Sequence, residues 1–437
     1  MKKTKTLLAV LTCLIFLSSF GFSNGLNLNG LGARMVAMGG AFVGLADDFS
    51  AVMWNPAGLA QLEATTFGLS GDIIIPKGTY QFDLLGINAE TGSKMYPAGM
   101  VGFFTPVGDN IVAGIGVYTP SGLGATWNGA DLKFLSGIPG EGNQDTIWKS
   151  FIGQLSISPA VAVKISEMFF LGAALNINYG IFQIQRTAGS TLVPYMHPDY
   201  GLMYVDYDLG QYTEDSHGWG FGGTIGALFK PIEQLSIGVS FRTPITVKFD
   251  GDASIEGLTG LGLPGETTFN REVISPMWLG IGVAFKPAEN ITITADGHYT
   301  NWGKLDVVET NYTDLIWQGM LADEADLELL WEDKWQFRFG VEYWASDTLA
   351  LRVGYYNDPT PSPDTTLNVL VPGFDFNAIS GGVGIVMNNF TIDVTAEYLF
   401  GKERDIAFLP LGANEMPGVY GMKILALNLS LIYQWVK

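Results

Sequence analysis

Two arginines and a glutamate flank a short turn at positions from which their side chains can meet. The segments on either side of the turn that begins at Ser346 alternate apolar and polar residues, as β-strands do. Counting back from the turn places Glu342 opposite Arg352 and Arg338 opposite Tyr356. A guanidinium binds a carboxylate through paired, charge-assisted hydrogen bonds. We therefore expect Glu342 to neutralise Arg352 and Arg338 to be freer to bind an anionic ligand.

The same polar face carries further charges, which leave the role of any single arginine open. On a strict alternation this face includes Arg186, Arg242, Arg338 and Arg352. Asp393 and Glu397 fall on the polar face of a later segment. A ladder of mutually compensating charges is the alternative to ligand binding, and it is the more common role of such residues. Arg338 and Arg352 are the two candidates for binding the carboxylate of a ligand.

Patterns that resemble catalytic or metal-binding motifs occur in unsuitable contexts. Gly21–Gly25 has the spacing of a nucleophile elbow, yet no strand precedes it. Gly260–Gly265 has the spacing of a dinucleotide fingerprint, yet it lies in a predicted loop. His197, His217 and His298 lack the close spacing of metal ligands. We predict that the protein is not an enzyme and uses no metal or cofactor.

The composition argues against a nucleic-acid partner and is typical of an apolar, turn-rich fold. Of the 437 residues, 47% are hydrophobic, 15% are charged and 56 are glycine. The formal net charge is -20, whereas binding to phosphate backbones requires clustered lysine and arginine. This acidic net charge fits a protein of the cell surface better than a protein that binds nucleic acid.

Apolar and polar residues alternate through most of the chain after about Ala64. In Phe169–Arg186, for example, the odd-numbered positions from 169 to 181 are apolar, whereas Asn176 and Asn178 share the other face. Short turns separate the alternating segments at Val107–Asn110, Ser166–Met168, Pro231–Gln234, Pro287–Asn290, Ser346–Asp347 and Asn388–Asn389. Six such turns predict about fourteen antiparallel strands, which longer polar loops join at the opposite end.

The predicted fold class is all-β, and the alternation alone fits either a soluble sandwich or a transmembrane barrel. The N-terminus favours the barrel, because residues 1–23 have a lysine-rich start and the apolar stretch Leu7–Phe20 of a secretory signal peptide. Leu425–Trp435 has the alternation of a strand that closes a barrel against the first strand. Cys13 lies within the signal peptide, so we expect no thiol in the mature chain.

Residues 24–62 do not alternate, and their motifs resemble those of a known family. A glycine-rich apolar stretch is followed by Ala46-Asp47-Asp48 and by Trp54-Asn55-Pro56-Ala57-Gly58-Leu59. This segment resembles the hatch of the FadL/TodX family of outer-membrane long-chain fatty acid and hydrocarbon transporters. Further elements match that family in order along the chain: Thr119–Leu123, Ser158–Ala162, Gly218–Gly222, Phe241–Thr243, Asn301–Gly303 and Asn357–Pro361.

The resemblance implies a fourteen-stranded barrel in the cell outer membrane, with residues 63–437 as the barrel and residues 24–62 as a hatch inside it. It also implies passive, hatch-gated diffusion of a long-chain fatty acid or a hydrocarbon. The expected partners are this hydrophobic ligand, outer-membrane lipid with lipopolysaccharide, and the barrel-assembly machinery. A sister group of barrels in protein secretion systems shares the Trp-Asn-Pro-Ala-Gly-Leu element, so an accessory role in secretion stays open as the alternative.

The resemblance further implies a sideways exit through the barrel wall at a kinked third strand near Ile111–Pro120. Glycine weakens a strand ladder, and two glycines of this strand could relax the pairing. The aspartates of the hatch would form hydrogen bonds within it. The residues so assigned to the gate and the hatch are Asn55, Pro56, Ala57, Asp47, Asp48, Gly114 and Gly116.

Apolar residues of the hatch are candidates for a ligand pocket. They are Leu26, Leu28, Met35, Met38, Phe42, Phe49 and Met53. Methionine side chains adapt to ligands of different shapes. Packing of the hatch against the barrel wall is the alternative role of these residues. The pattern leaves open whether the ligand is a fatty acid, an aromatic hydrocarbon or an alkane.

Overall fold

The computed structural model describes residues 25–136, 146–321, 326–408 and 416–435. The expected signal peptide, with Cys13, lies outside the described residues. Strands dominate the described ranges, and no helix in them is both long and apolar enough to cross a membrane.

The described helices are short. The α-helices are α1 (Ala33–Ala37), α2 (Ala51–Trp54) and α3 (Leu315–Leu321). Short 3-10 helices occur at Pro56–Gln61, Asp83–Leu85, Gly129–Asp131, Lys133–Ser136, Glu256–Leu261 and Trp302–Lys304.

The described strands are β1 (Thr65–Phe82), β2 (Ile87–Glu90), β3 (Tyr96–Val107), β4 (Ile111–Trp127), β5 (Trp148–Ser166), β6 (Phe169–Thr187), β7 (Ser190–His197), β8 (Gly201–Asp208), β9 (Gln211–Ile232), β10 (Leu235–Arg242), β11 (Ile245–Ile255) and β12 (Glu266–Ser275). They continue with β13 (Trp278–Ala288), β14 (Ile291–Thr300), β15 (Val307–Val308), β16 (Thr310–Tyr312), β17 (Leu327–Glu328), β18 (Lys334–Ser346), β19 (Leu349–Asp358), β20 (Phe376–Met387), β21 (Phe390–Gly401), β22 (Arg404–Ile406) and β23 (Gly418–Trp435).

All of these strands except β7, β8, β15 and β17 belong to the sheet of a closed, antiparallel barrel of 14 spans, which confirms the predicted fold class. Three spans are each broken into two strands, namely β10 with β11, β12 with β13, and β14 with β16. Pro244 and Pro276 lie at two of these breaks, where a residue without an amide N–H interrupts the ladder. The barrel closes between β1 and β23, which pair from Thr65↔Trp435 to Gln81↔Val419.

The predicted turns and register are confirmed where the chain folds back locally. All six tight turns connect neighbouring spans at the expected positions. Arg338 pairs with Tyr356 and Glu342 pairs with Arg352, as counted from the turn. The prediction that Ser121–Lys149 is a loop was wrong at its start, because β4 extends to Trp127. Pairing with a neighbour extends a strand beyond the part that shows clear alternation.

Residues 25–62, here called the N-terminal segment, lie inside the barrel. The backbone N–H of Ala33 donates to Ser430 Oγ at 2.8 Å, and Thr395 Oγ1 donates to the carbonyl of Ala33 at 2.6 Å. The N–H of Val43 donates to Asp296 Oδ2 at 2.7 Å. Polar side chains of the inner wall thus bind the backbone of a segment that lacks a ladder of its own.

Candidate functional site

The wall of the barrel is interrupted between β3 and β4. The two strands pair from Val107↔Ile111 to Met100↔Tyr118, and no pairing continues beyond that point. There the register of β4 against β5 shifts by one residue between Tyr118 and Ser121. Pro120 lies in this bulge and has no N–H to donate. The wall break thus follows from an extra residue and a missing donor in β4.

The start of the N-terminal segment occupies the position of the missing strand partner. The N–H of Leu28 donates to the carbonyl of Pro120 at 3.1 Å, and the N–H of Gly122 donates to the carbonyl of Leu26 at 3.0 Å. Asn27 forms an isolated antiparallel bridge with Ser121. The alternation Leu-Asn-Leu-Asn over residues 26–29 was the signal for this short pairing, and the sequence analysis missed it.

A cavity of about 300 Å³ opens at the wall break. Its inner part is lined by polar and apolar lumenal residues, including Asp72, Gln154, Phe376, Glu397, Ile424 and Asn428. Its other part reaches side chains of the outer face, including Pro97, Phe151, Leu155, Tyr179 and Ile181. Leu155 is 40% exposed on that outer face. The cavity therefore connects the barrel interior with the surface of the wall.

A second cavity of about 600 Å³ lies at the loop end of the barrel. Arg186 and Arg271 line it, together with Glu214. Arg271 is tied to Glu214 by two hydrogen bonds of 2.8 Å, whereas the guanidinium of Arg186 stacks on the ring of Tyr212 at 4.9 Å. Of the two cavities, the one at the loop end is therefore the one lined by arginine, whereas no arginine is among the described residues that line the cavity at the wall break.

The two arginines proposed from the sequence as carboxylate ligands are not among the residues that line either cavity. Arg352 binds Glu342 at 2.7 Å, as expected, and also Asp393 at 2.6 Å. Arg338 is not free, because it donates to the carbonyls of Asn29 and Gly39 and is 1% exposed. Arg338 was expected to be freer than Arg352, and it forms no ion pair among those of the described residues, but the N-terminal segment supplies carbonyl partners that strand alternation cannot reveal.

The structure places the Asn55-Pro56-Ala57 element away from the wall break. Asn55 Nδ2 donates to the carbonyl of Val43 at 2.9 Å and to that of Ala227, on β9, at 3.1 Å. None of the three residues lines the cavity at the wall break. Their implied position at the opening was therefore wrong. The element instead fixes the N-terminal segment against β6 and β9, where the wall is continuous.

Gly114 and Gly116 do not interrupt the ladder. Both pair in register with β3 and with β5. The interruption lies instead at Thr119 and Pro120, where Thr119 Oγ1 accepts a hydrogen bond from the N–H of Gly99 at 3.0 Å. A proline and a bulge interrupt pairing, whereas a glycine keeps both of its backbone hydrogen-bonding groups.

Most apolar residues proposed for the ligand pocket pack the N-terminal segment against the wall. Met35, Met38, Phe42, Phe49 and Met53 are at most 3% exposed and belong to one buried cluster. Leu26 is buried in the neighbouring cluster. Of the proposed set, Leu28 lines the cavity at the wall break.

The aspartates of the N-terminal segment form hydrogen bonds within it. Asp47 binds Arg34 at 2.5 Å. Asp48 accepts hydrogen bonds from the N–H and hydroxyl of Ser50 at 2.8 and 2.6 Å. Burial raises the pKa of the Asp48 carboxyl, an effect that Arg34 opposes. These contacts agree with a hydrogen-bonding role for both carboxyl groups.

Comparisons with known proteins agree with this architecture. The family model described as "Outer membrane protein transport protein (OMPP1/FadL/TodX)" matches residues 14–413. A long-chain fatty acid transport protein of Escherichia coli O6:H1 is 25% identical over 434 residues, which cover 92% of each chain. Outer membrane protein P1 of Haemophilus influenzae is 22% identical over 409 residues, which cover 84% of each chain.

Two solved structures share the fold. A Pseudomonas aeruginosa FadL homologue superposes with a TM-score of 0.74 at 16% identity, over 94% of this chain and all of the other. The Pseudomonas putida toluene transporter TodX superposes with a TM-score of 0.71 at 16% identity, with the same coverage. At this level of identity the likeness supports the arrangement of the barrel.

Proposed function

Because this chain belongs to the OMPP1/FadL/TodX family of outer membrane transport proteins, we propose that it carries small hydrophobic molecules across the outer membrane by passive diffusion. The N-terminal segment gates the passage, and the molecule leaves sideways between β3 and β4. The observation that carries this proposal is the cavity at the wall break, which is lined by residues of both faces of the wall.

The lateral exit suits a hydrophobic cargo physically. An apolar molecule that left through the end of the barrel would enter water, whereas one that leaves through the wall enters hydrocarbon directly. Outward-facing Leu155 and Ile181 continue the cavity surface toward the bilayer. Relatives and structural neighbours bear the names of long-chain fatty acid and toluene transporters, which supports a hydrophobic cargo.

The packing of the interior favours this function over an accessory role in protein secretion. That role calls for an open hydrophilic or protein-filled lumen without an apolar lateral port, whereas here a largely apolar cavity reaches both faces of the wall. Here the N-terminal segment packs tightly against the wall, and Met35, Met38 and Phe42 are fully buried. A ligand-sized cavity beside the wall break suits a small molecule better than a polypeptide.

The proposal is tested by deleting Pro120. The deletion removes the extra residue, so that β4 can pair in one register with β5 and continue its pairing with β3. We expect cells that carry the wild-type protein to take up labelled toluene or oleate faster than cells without it. The deletion should abolish this gain at equal surface expression, whereas Pro120→Ala, which keeps the bulge, should retain most of it.

Two outcomes would contradict the proposal at different points. If the wild-type protein accelerates uptake of neither compound, transport of hydrophobic molecules is wrong. If uptake is faster and the Pro120 deletion leaves it unchanged, the molecule does not leave between β3 and β4.

A further inference from the structure

We propose that the cavity at the wall break binds hydrophobic alcohols or phenols, through a hydroxyl held between Asp72 and Asn428, in preference to carboxylate anions. This inference rests on the proposed function, since it specifies the chemical class of the molecule that passes through this cavity.

Asp72 lies beside the wall break, and its side-chain carboxyl has no hydrogen-bond partner in the part of the chain that the structure describes. On β1 it pairs through the backbone with Ala98 of β3 on one side and with Asn428 of β23 on the other. Its side chain lines the cavity and is 3% exposed, and neither carboxyl oxygen has a partner among the described residues. A buried carboxyl group without hydrogen bonds is costly, so a ligand that donates to it gains the missing interaction.

Asn428 offers the complementary group on the neighbouring strand. Its side chain lines the same cavity, and its Nδ2 atom also lacks a partner among the described residues. An unpartnered acceptor and an unpartnered donor therefore lie on adjacent strands of one wall. A hydroxyl is the simplest group that satisfies both, because it donates one hydrogen bond and accepts another.

The acidic side chains of the cavity, with no basic side chain among the described lining residues, disfavour a carboxylate ligand. Asp72, Asp358 and Glu397 line it, and the described lining residues include no lysine, arginine or histidine. Glu397 accepts a hydrogen bond from Tyr356 at 2.9 Å, and Asp358 accepts one from Asn29 at 2.6 Å and one from Gln336 at 2.5 Å. A bound carboxylate would add a fourth acidic group without a cation to compensate it, at a low local dielectric constant.

The rest of the lining suits an apolar tail. Apolar side chains line the inner part of the cavity around the two polar groups: Ile74, Phe374, Phe376, Leu399, Met422, Ile424 and Ala426. Phe151, Leu155 and Ile181 continue the apolar lining on the outer face. Burial of a tail against them removes apolar surface from water, which favours binding in proportion to the length of the tail. The hydroxyl then determines how the ligand is oriented in the cavity and which ligands the cavity prefers.

The test compares three ligands with the same chain length. Equilibrium binding of labelled 1-decanol, n-decane and decanoate is measured at pH 8 with the full-length protein in lipid nanodiscs. We expect 1-decanol to bind at least about tenfold more tightly than decanoate, which corresponds to about 1.4 kcal/mol. The variants Asp72→Leu and Asn428→Leu should each reduce the affinity for 1-decanol to near that for n-decane. Asp250→Leu, at an exposed position outside the cavity lining, should leave it unchanged.

The outcomes separate this inference from the proposed function. Heat-modifiable migration in gels establishes that each variant is folded. If decanoate binds as tightly as 1-decanol, or if both leucine variants keep the preference for 1-decanol, the inference is wrong, whereas transport of hydrophobic molecules stands. If none of the three ligands binds and labelled toluene and oleate do not enter cells, the proposed function is wrong as well.

Discussion

The guanidinium of Arg34, in the N-terminal segment, lies 2.9 Å from the carboxylate of Glu342, on β18. The same carboxylate binds Arg352 of β19 at 2.7 Å, and Arg34 also binds Asp47 at 2.5 Å. All these side chains except that of Asp47 are at most 15% exposed. Glu342 thus joins the N-terminal segment to the wall, and any movement of that part of the segment must break or carry along these ion pairs.

The first prediction concerns the loss of this anchor. Arg34→Met should loosen the N-terminal segment, because it leaves Asp47 without its cation and removes one of the two cations at buried Glu342. Breaking a buried ion pair costs about 3–5 kcal/mol. Hydrogen exchange measured by mass spectrometry should become faster in residues 25–62 and stay unchanged in the barrel.

Lys248→Met is the matched control for that variant. Lys248 pairs with Glu272 at 3.1 Å, but both side chains are more than half exposed. An exposed ion pair contributes about 0–1 kcal/mol to stability. Hydrogen exchange in Lys248→Met should therefore match that of the wild type in every region. Unchanged exchange in Arg34→Met would show that the ion pairs do not hold the segment in place.

The second prediction concerns the close approach of the N-terminal segment to β19. A Cβ atom added at Gly354 would lie 1.9 Å from the backbone N of Gly39, whereas one added at Gly381 would lie 3.8 Å from its nearest neighbour. Gly354→Ala should therefore displace the segment, and Gly381→Ala should not. Protease cleavage within residues 25–62 of the folded protein measures the difference. Equal cleavage of the two variants would mean that the segment adjusts without leaving the wall.

The third prediction separates an anchoring role of Arg338 from a role in ligand binding. Arg338 donates to the carbonyls of Asn29 and Gly39 at 2.9 and 3.1 Å, and it does not line the cavity at the wall break. Arg338→Gln should speed hydrogen exchange in residues 25–62 and leave the affinity for decanoate within about twofold of the wild type. A loss of decanoate affinity of tenfold or more would restore the carboxylate-binding role that strand alternation suggested.

The sequence predicted those features that depend on neighbouring residues along the chain. Alternation and turn residues gave the barrel, its tight turns and the register of Glu342 with Arg352. The break lies on the strand that was expected to kink, but it was attributed to Gly114 and Gly116 because a bulge is visible only against the partner strand, where the extra residue moves Ser121 to the inner face. The partners of Arg338 were missed because they lie about 300 positions away, in a segment without periodicity.

The fourth prediction concerns the pairing that covers the wall break. Leu28→Pro removes the N–H that donates to the carbonyl of Pro120, so the start of the N-terminal segment should detach from β4. We expect faster initial uptake of labelled toluene at equal surface expression. Leu28→Ala keeps the N–H and loses only the side chain, so it should show a smaller gain.

Combination with the Pro120 deletion identifies the route behind any such gain. If the molecule leaves through the wall break, restoring the pairing of β3 with β4 should suppress the gain, and the double variant should behave as the deletion alone. A double variant that keeps the fast uptake of Leu28→Pro would place the exit elsewhere. In that case Leu28 would control access to a passage along the axis of the barrel, and the wall break would not be the route.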